Sequence, residues 1–178
     1  MHIKISKYQQ GDLELFDTIG IETSEYCNRT CSFCPNSINR QERRLMSVEL
    51  YEKIINQLVK VEFAGTICFN QYNEPLLDKR LDKFILFARQ KLPNSRLTIS
   101  TNGDALTIKR WDSLKKNGLD FAVISQYDGV ISKNIQNLIE VEMDKNSYKV
   151  EIRSELNLKS TRCGTVNFDN SNLPITAP

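Results

Sequence analysis

Two periodicities take turns along this chain. Ile19, Ile21 and Thr23 fall on one face of a period-two pattern within residues 15–23, short apolar runs follow at 65–70, 97–100 and 121–125, and Val150, Ile152, Ser154 and Leu156 alternate again; these five stretches are predicted strands. Between them the spacing becomes helical. Ser47 is a suitable N-cap, with Glu49 in the first turn, for a helix whose apolar stripe is Leu50, Ile54 and Leu58 beside Tyr51, Ile55 and Val59. Leu81, Phe84, Ile85, Ala88 and Leu92 form a second stripe that Pro93 stops. Thr107 caps a third helix carrying Ile108, Trp111 and Leu114, with Gly118 beyond its end, and Ile135, Leu138 and Ile139 mark a fourth. The order β-α-β-α-β-α-β-α-β predicts an α/β fold with parallel pairing, whose functional groups collect at the carboxyl ends of the strands. Residues 1–158 read as this core, and the polar stretch 159–178, with neither period, as an irregular tail or linker.

Composition narrows the class without changing this outline. At 178 residues, 40% hydrophobic and 26% charged, the chain has the make-up of one ordinary globular domain. The net charge of +2 is spread among interspersed acids and bases, which gives no nucleic-acid footprint. Arg40, Arg43 and Arg44 are the densest positive group, either a solvated loop face or a surface for an anionic or peptide substrate. No apolar run approaches the roughly 20 residues that cross a bilayer, and the N-terminus alternates instead of forming an apolar signal block, so no membrane association and a cytoplasmic location are expected. Five cysteines, an odd number with three crowded together, suit a reducing compartment better than a disulfide framework.

Those three, Cys27, Cys31 and Cys34, carry the clearest chemistry. Thiolates at that density favour zinc or an iron-sulfur cluster. A structural zinc site takes four protein ligands, for which Cys68, Cys163 or His2 would have to be recruited, whereas a cluster held by three cysteines leaves one iron open. The Cys-x-x-x-Cys-x-x-Cys spacing, with Phe33 just before the third cysteine, is followed in order by Asn73-Glu74-Pro75, Thr101-Asn102-Gly103, Ser125-Gln126-Tyr127-Asp128-Gly129 and Arg153, each at the end of a predicted strand or on one. With these landmarks the chain, over residues 15–164, resembles the radical S-adenosylmethionine (SAM) superfamily. Thr161-Arg162-Cys163-Gly164 is similar to a segment of its SPASM/Twitch-like branch. Tyr72 and Asn73 stand where the family usually has glycines, and the serine segment has one residue more than the family's Ser-x-Asp-Gly.

The resemblance implies a partial parallel (β/α) barrel, truncated here to about five strands and four helices, with two explanations open: the chain is a truncated form of a longer enzyme, the favoured reading, or a natural short member whose open side another subunit closes. It implies a 4Fe-4S cluster on Cys27, Cys31 and Cys34 and SAM on its open iron. SAM contacts would come from Phe33 (adenine), Asn73 and Glu74 (amino group), Ser100 and Asn102, Ser125 (ribose) and Arg153 (carboxylate). It implies an enzyme that cleaves SAM reductively to a 5′-deoxyadenosyl radical, which abstracts hydrogen from a substrate, a peptide or protein side chain first and a carbohydrate or other small molecule as the alternative. No side-chain acid or base is assigned to the cleavage. A degenerate core acting as a binding partner and a zinc-stabilised module are the further alternatives. An electron donor such as flavodoxin or ferredoxin is expected, and an exposed barrel edge would favour homo-oligomers.

Overall fold

The computed structural model describes residues 9–10, 13–14, 16–31, 33–37, 43–140 and 144–152. A small antiparallel pair, β1 (Gln9–Gln10) and β2 (Leu13–Glu14), precedes the main sheet. That sheet consists of β3 (Thr18–Gly20), β4 (Thr66–Cys68), β5 (Arg96–Thr101), β6 (Phe121–Gln126) and β7 (Tyr148–Ile152), all parallel and hydrogen-bonded in chain order. Sequential parallel strands with a helix in each connection are the arrangement of a (β/α) barrel, and with β3 and β7 as the edges of the described sheet the barrel is partial.

The helices form where their caps and stripes fall. Ser47 has extended backbone and its Oγ accepts from the Leu50 amide at 3.1 Å, opening α1 (Val48–Lys60). Its buried stripe, Tyr51, Ile55 and Leu58, is narrower than expected, because Leu50 and Val59 face solvent. Helix α2 (Leu81–Lys91) buries Leu81, Phe84, Ile85 and Ala88 and ends just ahead of Pro93. Thr107 Oγ1 accepts from the Arg110 amide at 3.1 Å to start α3 (Ile108–Lys116), which buries Trp111 and Leu114 and leaves Ile108 exposed. Gly118, at φ +104°, turns the chain away after α3, in a conformation that disfavours a Cβ. Helix α4 (Lys133–Glu140) buries Ile135 and Leu138.

Helix α1 packs on α2, and α2 packs on α3 and β5, over one apolar core. Tyr51 lies at its centre, 4.2 Å from the Phe84 ring between centroids and donating its hydroxyl to the Phe84 carbonyl at 2.7 Å. Truncating a fully buried leucine of this core, such as Leu97 or Leu114, to alanine would cost about 2–5 kcal/mol. Ile67, Leu97, Ile99, Ala122 and Ile124 belong to that core, and the residues alternating with them, Cys68, Thr98, Ser100, Val123 and Ser125, point to the opposite face. That second face is mostly small and polar, as the inside of a barrel with a site at one end requires.

Two strand expectations are corrected. The ladder of β3 is much shorter than 15–23, because beyond Ile21 the chain pairs with 44–46 instead: the Glu25 amide donates to the Arg44 carbonyl (3.1 Å) and the Met46 amide to the Thr23 carbonyl (3.0 Å). On β7, Tyr148 and Val150 pack on the core while Ile152 is 52% exposed. Ser154, Leu156, Arg153 and the tail 159–178 lie outside the described residues.

Candidate functional site

Pairing with 44–46 carries the chain from β3 across the carboxyl end of the sheet and delivers Cys27 there. The Cys34 amide donates to the Cys31 carbonyl (2.9 Å), and the Arg29 amide approaches Cys27 Sγ at 3.4 Å. Cys27, Cys31 and Cys34 border one cavity of about 250 Å³, and all three are free of disulfides. Burial pushes the Cys27 and Cys31 thiols up to about 11. A metal that binds them must therefore displace protons. Among the described residues no three His, Cys, Asp or Glu side chains form a group suited to a single metal ion. All three thiols border the same cavity, and soft donors gathered in this way are of the type that binds an iron-sulfur group.

The same cavity is bordered by Phe33, Asn73, Glu74, Ser100, Asn102 and Ser125, so every anticipated site residue is brought to it except Arg153, which lies outside the described residues. Arg29, Asn70, Gln71, Thr101 and Tyr127 join them without having been singled out. Of these, Thr101, in the Thr101-Asn102-Gly103 landmark, and Tyr127, in the serine segment, stand inside motifs noted in the sequence, whereas nothing marked Arg29 beyond its place in the cysteine loop. Tyr127 sits 5.2 Å from Phe33 between ring centroids and closes the cavity beside the cysteines.

The segment after β4 is pinned from two sides. Glu22 Oε1 accepts from the Tyr72 and Asn73 amides, and Asn36, just past the third cysteine, donates its Nδ2 to the Tyr72 carbonyl at 2.7 Å. Asn73 Oδ1 accepts from the Gln71 amide at 3.2 Å. Glu74 is 2% exposed, and its carboxylate already holds three protein donors: the Leu76 amide (3.1 Å), the Thr101 hydroxyl (2.6 Å) and the Asn102 amide (2.8 Å). It ties the end of β4 to the end of β5. Burial pushes Glu74 up to about 7, against the pull of those three donors.

Gly103, at φ +79°, makes the turn after β5, where a Cβ would meet Ile124 and Ile135 at 3.0 Å, and its amide donates to Thr101 Oγ1 at 3.0 Å. The extra residue of the serine segment is absorbed by β6, which runs to Gln126. Its side chain donates to the Asn102 carbonyl (2.9 Å) and accepts from the Ser132 amide (2.8 Å).

Arg29 joins three loops. Its guanidinium meets Asp104 through Nε and Nη2, both at 2.7 Å, and Asp128 through Nη1 and Nη2 at 3.2 and 3.1 Å. Asn28 adds a bond to Asp104 at 2.7 Å and accepts from Asn102 at 2.9 Å. Burial works against the Asp104 carboxylate, but the Arg29 and Asn28 donors outweigh it and hold Asp104 below the usual range.

A family model described as the radical SAM superfamily matches residues 21–128, more than half of the chain. The chain belongs to the radical SAM superfamily. Within it, the chain is 41% identical over 121 residues to the S-adenosyl-L-methionine-dependent 2-deoxy-scyllo-inosamine dehydrogenase of Niallia circulans, covering 67% of this chain and 48% of that protein. The crystal structure of BtrN in complex with AdoMet and 2-DOIA superposes with a TM-score of 0.75 at 37% identity, covering 82% of this chain and 60% of that one. Streptococcus suis SuiB bound to its precursor peptide SuiA shares the fold alone, with a TM-score of 0.51 at 24% identity, covering 67% of this chain and 26% of that one. The chain thus spans about half the length of the dehydrogenase it matches. Tyr72 and Asn73, which stand out of the expected glycine pattern, have their amides held by Glu22, and Asn36 holds the Tyr72 carbonyl as well. Among the described residues no helix is long and apolar enough to cross a membrane.

Proposed function

We propose that this chain is the cofactor-binding core of a radical SAM enzyme acting on a hydroxylated, amino-substituted small molecule of the aminocyclitol type. The observation that carries the core assignment is the gathering of three thiols, an aromatic pair and the ends of β4, β5 and β6 around one cavity. The donor set fits the implied group: Cys27, Cys31 and Cys34 would hold a 4Fe-4S cluster, with SAM between them and Ser100, Asn102 and Ser125. When bound, these cofactors supply reductive cleavage of SAM and hydrogen abstraction from the substrate.

The chain's own residues position and shield. Phe33 and Tyr127 keep water from the cluster side and give the adenine an aromatic neighbour. Ser100 and Ser125 offer hydroxyls from adjacent strands to the sugar and amino-acid parts of SAM. Glu74 has little acceptor capacity left, so its contribution to the SAM amino group is to hold the backbone of Asn73 and Asn102 in place. The substrate class is supported by the dehydrogenase at 41% identity, which favours a small carbohydrate-like molecule over the peptide reading, for which only fold similarity speaks.

The test is anaerobic reconstitution with iron and sulfide, reduction by dithionite with SAM, and quantification of 5′-deoxyadenosine with and without 2-deoxy-scyllo-inosamine. We expect nucleoside formation, a several-fold rise with the aminocyclitol, and a fall to background in Cys31→Ala. A yield that the aminocyclitol leaves unchanged removes the substrate class, and a yield unaffected by Cys31→Ala removes the core assignment.

A further inference from the structure

A second cavity, of about 400 Å³, opens on the outer side of the cysteine loop, and no described residue borders both cavities. The wall between them is built from two short segments. Cys27 and Glu74 face the inner cavity, while their near neighbours Tyr26 and Leu77 face the outer one. The Glu74 amide donates to the Tyr26 carbonyl at 2.9 Å and closes the wall. Resting on the radical SAM reading above, we infer that this outer pocket is the docking site for an acidic protein that carries one electron on a flavin or iron-sulfur group.

The wall decides between occupants. A substrate that surrenders a hydrogen atom must touch the reacting group in the inner cavity, and an occupant of the outer pocket cannot. An electron needs no such contact and has a path of a single peptide link, Tyr26 to Cys27, between the two sides. In the transfer the carrier is oxidised by one electron, the group on the cysteines is reduced by one, no bond forms between the partners and no proton is required.

Charge decides the partner's sign. Among the described residues the pocket's one carboxylate, Asp78, has a side chain only 2% exposed and is paired with Arg80 at 2.8 Å. Solvent therefore meets Arg43, Lys79 and the uncovered part of Arg80, around an apolar centre of Tyr26, Leu77 and Leu45, the last 57% exposed. An apolar centre inside a cationic rim has the anatomy of a transient protein interface with an acidic partner. The surface is pre-formed. Arg80 donates to the Met46 (2.8 Å) and Thr23 (3.0 Å) carbonyls, and the Arg43 guanidinium stacks 4.3 Å from the Tyr26 ring centroid. Of the arginine-rich stretch noted in the sequence, Arg43 borders this pocket, and neither of its described members, Arg43 and Arg44, borders the cofactor cavity.

Binding of oxidised flavodoxin to the full chain, measured by calorimetry without SAM or reductant, tests the site independently of catalysis. We expect the Kd to weaken about tenfold in Arg43→Glu and in Lys79→Glu, and about tenfold again for the unaltered protein between about 20 and about 200 mM salt. Lys145→Glu, in the turn before β7 at the other end of the strands, should leave it unchanged. Circular dichroism checks that each variant is folded. Absence of binding at low salt, indifference to both pocket reversals, or equal loss in Lys145→Glu would each overturn the docking site. Dithionite-driven 5′-deoxyadenosine formation, measured in parallel, judges the radical SAM reading separately: its failure with intact flavodoxin binding sinks that reading and leaves the surface standing.

Discussion

At the amino ends of β5 and β6, Arg89 donates to the carbonyls of Pro93 (2.8 Å), Ser95 (2.8 Å) and Gly118 (2.9 Å) and pairs with Asp120. At the carboxyl ends of the same strands, Arg29, whose side chain is 12% exposed, meets two carboxylates on different loops, Asp104 and Asp128. One guanidinium staples turns together and the other roofs a cavity. The difference lies in the acceptors. Backbone carbonyls of tight turns need partners wherever the turn is placed, so Arg89 completes hydrogen bonding that the fold itself demands. Carboxylates in exposed loops could be satisfied by water, so holding two of them on Arg29 serves placement of the cysteine loop more than stability. Stability and function are thus divided between the two ends of one sheet.

Arg89→Ala puts the largest strain on this comparison. It should destabilise the protein by about 2–4 kcal/mol in urea titration, because three carbonyls and Asp120 lose a charged donor. SAM binding by calorimetry below the melting temperature should stay unchanged.

Glu74 gives a somewhat smaller effect and a pH signature. Its carboxyl is raised in the folded state to about 7, so the stability it contributes is fully present below the ordinary carboxylate range and is lost as pH rises through about 7. Between about pH 5 and pH 8 the protein should lose roughly 2–3 kcal/mol relative to Glu74→Gln, whose side chain does not titrate; chemical denaturation at the two pH values measures it.

Arg29→Lys sharpens the contrast from the other end. Stability should change by only about 1 kcal/mol, while iron retention after reconstitution should weaken about tenfold, because lysine cannot span two carboxylates and the loop loses its anchor. Iron content per chain after gel filtration measures it.

Most of the architecture was legible because it rests on local signals. Ser47, Thr107, Pro93 and Gly118 punctuate the helices through their own hydrogen bonds and dihedral limits, and each does so in the fold. The extent of β3 was not legible: Ile21 and Thr23 keep a strand's alternation, yet the chain leaves the ladder there to pair with 44–46, a partner set by the tertiary path. Leu50 and Val59 failed for a related reason, since periodicity marks an apolar sector and the neighbouring helix covers only part of it. At the site, the cysteines and the strand-end motifs stood out through unusual residue types at short spacing. Arg29, Glu22 and Asn36 did not, because their partners lie tens of residues away in sequence.

Residue order alone therefore determined the kind of chemistry and where along the chain it would appear. A run of three thiols has few uses, and alternating periods leave few topologies. Only the tertiary structure decided that Glu74 is spent on Thr101 and Asn102, that Arg29 bridges two loops, and that Tyr26 and Cys27 look into different cavities. Those are relations between distant segments, and their energies exist only once the sheet has brought the segments within hydrogen-bonding reach.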